Sequence, residues 1–224
     1  MARPTSIQAA IKNYSLDFTQ RGTYSSQSNA VSYNDTSVSI GSANKWRWVL
    51  VMIAFRSNTS PANGVASVQV GGVALSNVVD GPASAKQQTA FAYGKIPEGT
   101  SGNIVVTLNK TADGCSFATY TFISSSGNPL VDYDSDNGDP TASVDLVTVR
   151  DGAVAGAVVC FSASGFTWNN GLTESYDASV DSARGGAGYD TDESASSART
   201  VSVTATGASS GQNTYLTAVS LRPN

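Results

Sequence analysis

The sequence predicts an all-β protein, built as an antiparallel β-sandwich or barrel that follows a short N-terminal arm. Three observations lead to this prediction. Short strand-like segments recur from Asn29 onward, turns rich in Gly, Asn and Asp separate them, and helical periodicity is nearly absent. Many short strands with this punctuation are typical of sandwiches and barrels.

The beginning of the chain differs from the rest and defines the predicted arm, residues 1–28, ahead of one continuous β domain at residues 29–224. The arm has apolar residues at a weakly helical spacing, namely Ile7, Ala10, Ile11 and Tyr14. We therefore expect a short helix or an extended arm. Two interpretations stay open: the arm docks on a neighbouring subunit, or it folds back on its own domain.

The first strands of the domain carry the clearest signals. Ala30–Ile40 is mixed in polarity, which predicts an edge or outer strand. Trp46–Phe55 is apolar at consecutive positions from Val49, as expected of a central strand that is covered on both faces. Alternating apolar residues around Gly71-Gly72 predict a hairpin, because a Gly pair supplies the tight turn between two antiparallel strands.

The later predicted strands have the same short apolar pattern. They are Thr89–Ile96, Asn103–Leu108, Ser116–Ser124, Ser143–Val149, Ala153–Phe161, Arg199–Thr206 and Thr214–Leu221, with weaker signals at Glu174–Val180 and Gly188–Thr191. The strands on either side of Arg150-Asp151-Gly152 are predicted to pair, since Asp-Gly favours a tight turn.

The composition argues against several classes of function. Charged residues make up 13%, the net charge is -4 and the basic residues are scattered, so neither nucleic acid nor an anionic membrane is an expected partner. The chain has no histidine, which excludes Ser-His-Asp and Cys-His catalysis and His-based zinc sites. We expect a protein that is not an enzyme. A two-carboxylate glycan hydrolase stays as an alternative, although no pair of acids stands out.

The cysteines and the apolar runs indicate the protein's environment. Cys115 and Cys160 both lie in strand-like sequence, as two buried free thiols or as one disulfide. The longest apolar run is Val49–Phe55, whereas a membrane-spanning helix needs about 20 residues. The N-terminal residues lack the apolar region of a signal peptide, so we expect no export through a cleaved signal.

An aspartate-rich segment provides the candidate metal site. Its carboxylates alternate in the sequence DYDSDNGDP, at Asp132, Asp134, Asp136 and Asp139. We expect three of them on one side of an extended loop, where hard oxygen ligands suit Ca²⁺. The segment resembles the first half of an EF-hand loop but has Asn137 and Ser143 where that loop has Gly and Glu. A turn between strands is the alternative interpretation.

Trp168 provides the candidate ligand-binding residue. It lies in GFTWNNG, which predicts a loop, and an exposed indole can stack on a sugar ring. Trp46 and Trp48 lead into the central strand and are expected to pack in the core. The acids of the segment Asp177–Glu193 are interpreted as a solvated acidic face.

Four segments carry a resemblance to a known family. They are Trp48–Phe55, Val68–Leu75 with its Val-Gly-Gly hairpin, Pro97–Leu108, and Ala218–Pro223. Over roughly residues 45–224 the chain resembles a jelly-roll-like β-sandwich family of bacteriophage structural proteins and bacterial surface or secreted proteins. The resemblance implies a jelly-roll-like sandwich and carries no catalytic motif. It does not cover the arm, which in a phage protein would be a natural anchor to the particle.

Two functions follow as expectations. The first is a bacteriophage virion structural protein, as a head decoration, a spike or fibre, or a tail component, located in the virion after assembly in the host cytoplasm. Its partners would be other virion proteins and further copies in a homo-oligomer. The second is a carbohydrate-binding or adhesion module that holds a host surface glycan, with Trp168 and a calcium ion at the aspartates. Beyond that ion no cofactor is expected.

Overall fold

A computed structural model describes residues 16–57, 64–83 and 86–223 and confirms the all-β prediction. These residues form seventeen strands and no helix, and every strand pairing is antiparallel. The described part of the chain therefore contains no helix long and apolar enough to cross a membrane.

The strands fall into two series along the chain. The first series is β1 (Thr19–Ser26), β2 (Ala30–Ser39), β3 (Arg47–Arg56), β4 (Val65–Val70), β5 (Val73–Ala74), β6 (Asn77–Ala83), β7 (Gln87–Lys95), β8 (Ser101–Ala112) and β9 (Gly114–Ile123). The second series is β10 (Leu130–Gly138), β11 (Thr141–Thr148), β12 (Gly152–Phe161), β13 (Gly165–Asn169), β14 (Thr173–Val180), β15 (Ala183–Glu193), β16 (Ser196–Thr206) and β17 (Thr214–Leu221).

Each series forms two sheets. The first series gives sheet I, in the order β1-β9-β3-β7-β6, and sheet II, in the order β2-β8-β4-β5. The second series gives sheet III, in the order β10-β17-β12-β15-β14, and sheet IV, in the order β11-β16-β13. Sheet II packs on sheet I, sheet I on sheet III, and sheet III on sheet IV, so the protein has four layers.

The two series repeat one strand order. In the first, β1 pairs with β9, β2 with β8 and β3 with β7; in the second, β10 pairs with β17, β11 with β16 and β12 with β15. In each series the first strand thus pairs with the last, the second with the last but one, and the third with the last but two, which is the arrangement of a jelly roll. The sequence predicts one sandwich at residues 29–224, whereas sheets I to IV form two sandwiches that share a central core.

The central strand β3 shows how the layers are built. Side chains of successive strand residues point to opposite faces. Val49, Val51 and Ile53 pack towards sheet II, while Leu50 and Met52 pack towards sheet III. All five are fully buried, which confirms the prediction of a central strand that is covered on both faces.

In the core between sheets I and III, large side chains of one sheet pack against small side chains of the other. Sheet I contributes the rings of Phe91, Tyr120 and Phe122, whereas β12 contributes Ala153 and Ala155. Because the alanines allow the rings of sheet I to approach the backbone of sheet III closely, the two sandwiches pack without a wide gap.

Two further sequence predictions have different outcomes. The hairpin at Gly71-Gly72 is confirmed, since both residues have positive φ values, of 58° and 84°, and join β4 to β5. The predicted pairing across Arg150-Asp151-Gly152 is wrong. The turn is present, but β11 belongs to sheet IV and β12 to sheet III, so it carries the chain from one layer to the next.

Part of the predicted arm belongs to the sandwich. Thr19–Ser26 is β1, the edge strand of sheet I, where it pairs with β9. Phe18 is buried and stacks on Tyr120 with ring centroids 5.0 Å apart. This part of the chain thus folds on its own domain, while residues 1–15 lie outside the described residues.

Candidate functional site

The aspartates of the candidate metal site lie on a strand rather than in a loop. Asp132, Asp134 and Asp136 belong to β10, the edge strand of sheet III. The three aspartates occupy every second position, and because side chains two residues apart on a strand point to the same side, they lie on one face of β10. Residues two apart on a strand are separated by roughly 6.6 Å, whereas ligands of one calcium ion converge on a point about 2.4 Å away.

The carboxylates accept hydrogen bonds from backbone amides. Asp132 accepts one from the N–H of Val147 at 2.8 Å, and Asp136 accepts one from the N–H of Ser143 at 2.9 Å. Both amides belong to β11, the edge strand of sheet IV. The aspartates of one sheet edge therefore cap the open edge of the next sheet, which protects it from pairing with other strands.

The other two aspartates are held separately. Asp134 accepts a hydrogen bond from the N–H of Ser135 at 2.7 Å, and Asp139 accepts one from the N–H of Gly211 at 2.9 Å. Within the described residues, no group of three or more acidic, Cys or His side chains is arranged to hold a metal ion. The structure thus gives Asp132 and Asp136 a role in joining two sheet edges, and the calcium site stays a prediction.

Trp168 lies on strand β13, not in the predicted loop. Its ring faces the core between sheets III and IV and covers Gly156 and Gly188, two glycines that are register partners on β12 and β15. A Cβ atom at Gly188 would lie 2.8 Å from the indole. The indole N–H is buried and has no hydrogen-bond partner in the described structure. The geometry therefore shows a packing role for Trp168.

The acids near the end of the chain are mostly paired with arginine. Asp177 forms an ion pair with Arg184, and Arg199 bridges Asp190 at 2.9 Å and Glu193 at 3.2 Å. Burial raises the pKa of Glu193, and the charge of Arg199 opposes this increase. A further pair joins Asp181 to Arg56 of the first sandwich. These acids therefore connect strands, which differs from the solvated face expected from the sequence.

The two cysteines are free and buried. Cys115 lies in the core between sheets I and II, and Cys160 lies in the core between sheets III and IV. Burial raises the pKa of both thiols. The free-thiol interpretation is confirmed.

A cavity of about 370 Å³ lies at one end of the junction between the two sandwiches. Arg56, Lys86 and Gln87 line it from the first sandwich. The second sandwich contributes the rings of Phe161 and Tyr215 and the segment Gly211, Gln212 and Asn213. Sequence reasoning missed this site because its residues come from distant segments that meet only when the sandwiches stack.

Aromatic and amide groups make this cavity suitable for a small polar ligand. The guanidinium carbon of Arg56 lies 4.8 Å from the centroid of the Phe161 ring. Amide side chains such as those of Gln212 and Asn213 both donate and accept hydrogen bonds. Pockets of this size with a few polar groups among aromatic side chains are typical of small-molecule sites.

Comparison with known proteins identifies no family for this chain. No family model and no curated protein sequence matches it. A structure of oxalate decarboxylase from Bacillus subtilis at pH 4.6 is similar with a TM-score of 0.17 and 10% identity, over 92% of this chain and 74% of that chain. A structure of the infectious bursal disease virus Gx strain has a TM-score of 0.17 and 12% identity, over 93% of this chain and 40% of that chain. Likenesses at this level carry no conclusion about function.

Proposed function

We propose that the protein is a structural component of a bacteriophage virion that acts through contacts with other virion proteins and with further copies of itself. It is a head decoration, a spike or fibre, or a tail component, and it is assembled in the host cytoplasm. The resemblance over residues 45–224 motivates the proposal. The structural observation that supports it most is the chemistry of the two outermost sheet faces.

Both outer faces carry rows of short uncharged side chains. On sheet II, Ser32 and Ser67 flank Thr107 across three neighbouring strands. On sheet IV, Thr141 and Thr167 flank Thr204 in the same way. Because the topology is repeated, the two rows occupy corresponding positions on opposite sides of the four-layer stack.

Burying such a face against another protein costs little free energy. Burying a Lys or Arg side chain costs up to about 2 kcal/mol of rotamer entropy and also requires a partner for its charge, whereas Ser and Thr have few rotamers to lose. The low charged fraction of the chain, 13%, has the same consequence. The faces therefore favour assembly by sheet packing or by contact with a flat neighbouring surface.

Fractionation of purified phage particles tests the proposal. We expect the protein to sediment with the particles at a fixed copy number, as measured by quantitative mass spectrometry. Thr204→Arg places a charge on one outer face and is expected to reduce incorporation, while Thr204→Ser keeps the hydroxyl and is the matched control. Recovery of the wild-type protein only in the soluble fraction would reject the virion role.

A carbohydrate-binding or adhesion role is the second candidate. The 370 Å³ cavity favours it, since rings such as Phe161 can stack on a sugar and the amides of Gln212 and Asn213 can bond its hydroxyl groups. We therefore propose this cavity, rather than Trp168, as the glycan site. A spike protein that binds a host glycan would satisfy both candidates.

A glycan array tests the second candidate with and without Ca²⁺. We expect binding that is weakened at least tenfold by Asn213→Ala and kept by Asn34→Ala, a control at an exposed position of β2. Binding to no glycan would reject this role. Binding that requires Ca²⁺ would support the predicted metal site at the aspartates of β10 as well.

A further inference from the structure

A second cavity, of about 310 Å³, lies where the beginning of β1 and the residues just before it meet the loop between β2 and β3. Its charged residues are Asp17, Arg21 and Arg47, and its other lining includes Gly41–Asn44 and Thr121. Two arginines and one aspartate thus line the cavity. The formal charge of this lining is positive, in a protein whose net charge is -4.

Arg47 is buried and holds the wall of this cavity in place. It donates to the carbonyls of two loops: those of Ile40, Gly41 and Ser42, and those of Ile96, Glu98 and Gly99, at distances of 2.5–3.3 Å. All of these acceptors are neutral, so the charge of Arg47 is not cancelled by an anion in contact with it. Burial, followed by the nearby charge of Arg21, lowers the pKa of Arg47, and the charge of the Glu98 carboxylate opposes this shift.

Arg21 has free donors. Its Nε donates to the hydroxyl of Thr121 at 2.6 Å, which fixes the direction of the side chain. Its Nη2 lies close to Gly41, where a Cβ atom would approach it to 2.7 Å and where φ is +77°. Within the described residues Arg21 forms no ion pair and no other hydrogen bond. Four N–H groups are therefore held beside a polar cavity without a protein acceptor.

A guanidinium group in this state binds oxyanions well. Two parallel N–H donors match the two oxygens of a carboxylate, and such charge-assisted pairs are shorter and stronger than neutral hydrogen bonds. The second positive charge of Arg47 strengthens the attraction because the site is partly shielded from water. Asp17 is exposed and lies farther than ion-pair distance from Arg21, so it reduces this attraction without occupying the site.

We infer that this cavity binds a small carboxylate that also carries hydroxyl groups, such as a sugar acid, through Arg21. The carboxylate pairs with the Nη groups of Arg21. The hydroxyl of Ser42, the amide of Asn44 and the exposed backbone of the loop provide partners for hydroxyl groups of the ligand. The cavity volume suits one such ring. The inference does not depend on the proposed function.

Side-chain NMR of arginine tests the site directly. The full-length protein, labelled with ¹⁵N at arginine, is titrated with glucuronate, acetate, inorganic phosphate and glucose, and the Nε–H signal of Arg21 is assigned by its loss in Arg21→Lys. We expect a saturable shift with glucuronate, a weaker one with acetate and none with glucose. Arg150, whose side chain is 81% exposed, is the internal control for unspecific screening.

Two variants separate binding from folding. Arg21→Gln is expected to weaken glucuronate binding at least tenfold, and its unfolding transition shows whether the fold is kept. Asp17→Asn leaves the arginines intact and is expected to tighten binding about threefold, since it removes a repelling charge. Equal shifts at Arg21 and Arg150, an unchanged affinity in Arg21→Gln, or tighter binding of phosphate than of glucuronate would each overturn the inference.

Discussion

Thr89 of β7 and Thr217 of β17 face each other across the junction of the two sandwiches, and their hydroxyl groups form a hydrogen bond of 2.7 Å. Both residues are fully buried. Gly81 lies beside the pair, where a Cβ atom would meet the hydroxyl of Thr217. A polar contact is thus enclosed in the central core, where neither hydroxyl can turn to water.

This pair predicts a characteristic double-mutant result. Thr217→Val keeps the shape of the side chain but leaves the hydroxyl of Thr89 unsatisfied, so we expect a loss of roughly 1–3 kcal/mol in the free energy of unfolding. Thr89→Val acts in the same way. The double variant is expected to lose less than the sum, as measured by urea denaturation. Additive losses would show that the two hydroxyls do not depend on each other.

The packing of Trp168 predicts a size-dependent effect at Gly188. We expect Gly188→Ala to destabilise the protein by about 1–3 kcal/mol, because the added methyl group would overlap the indole. Gly127→Ala is the matched control, since a Cβ atom there meets nothing within 4 Å. Trp168→Val is expected to relieve part of the effect in the double variant. A neutral Gly188→Ala would contradict the packing role of Trp168.

The six carbonyls around Arg47 predict that this residue is a main support of the loops before β3 and after β7. We expect Arg47→Met to lower the free energy of unfolding by about 3 kcal/mol or more, because several buried carbonyls lose their donor at once. Arg47→Lys keeps the charge but has no fork of donors, so it is expected to recover only part of the loss. Thermal unfolding followed by circular dichroism measures both effects. Full recovery in Arg47→Lys would assign the effect to charge alone.

The aspartates of β10 predict different effects along one strand. Asp132→Ala removes the acceptor of the Val147 amide, so we expect a loss of about 1 kcal/mol. Asp134→Ala removes only a bond to the adjacent residue and is expected to cost less. Measuring Tm with and without Ca²⁺ tests the metal site predicted from the sequence. A rise in Tm with Ca²⁺ that Asp134→Asn abolishes would support that site, and an unchanged Tm would count against it.

Glu193 predicts a specific pH dependence. Burial raises its pKa in the folded protein above the unfolded value of about 4.3, in spite of Arg199. The folded state therefore holds this proton more tightly, and the stabilising contribution is complete below about pH 4.3 and lost as the pH rises through the folded pKa. We expect the stability of the wild type relative to Glu193→Gln to fall between about pH 4.3 and neutrality, as measured by urea unfolding at several pH values. A rise over this interval would show that the attraction of Arg199 outweighs burial.

The sequence predicts a strand correctly where the polarity pattern of the segment's own side chains is sufficient to determine its structure. The apolar run that includes Val49 and Phe55 predicts a strand covered on both faces, and β3 is such a strand. The segment around Asp134 shows the limit, because its polar alternation fits a metal-binding loop as well as an edge strand. Two contacts make this segment an edge strand: its pairing with β17, and the hydrogen bonds that its aspartates accept from amides of β11. The local sequence of the segment shows neither contact.

The repeated strand order and the two cavities were not predictable for a related reason. The two series share their strand connections but not their residues. Val68 lies on β4, which pairs with β8, whereas Trp168 lies at the corresponding position of β13, which pairs with β16. The indole of Trp168 fits only because Gly188 has no side chain. A search for recurring residues therefore finds no period. The cavity at Arg21 depends likewise on Gly41 and Thr121, which contact it only in the folded chain.

The junction between sheets I and III joins two sandwiches of the same strand order, as a dimer interface joins two subunits, but both sandwiches belong to one polypeptide. Two separate subunits of the same topology would dissociate on dilution, whereas a covalent connection keeps the effective concentration of each half high at any protein concentration. If the outer faces bind partners as we propose, each chain presents one such face at either end of the four-layer stack. Under that proposal, one copy would provide two attachment surfaces whose relative arrangement does not depend on protein concentration.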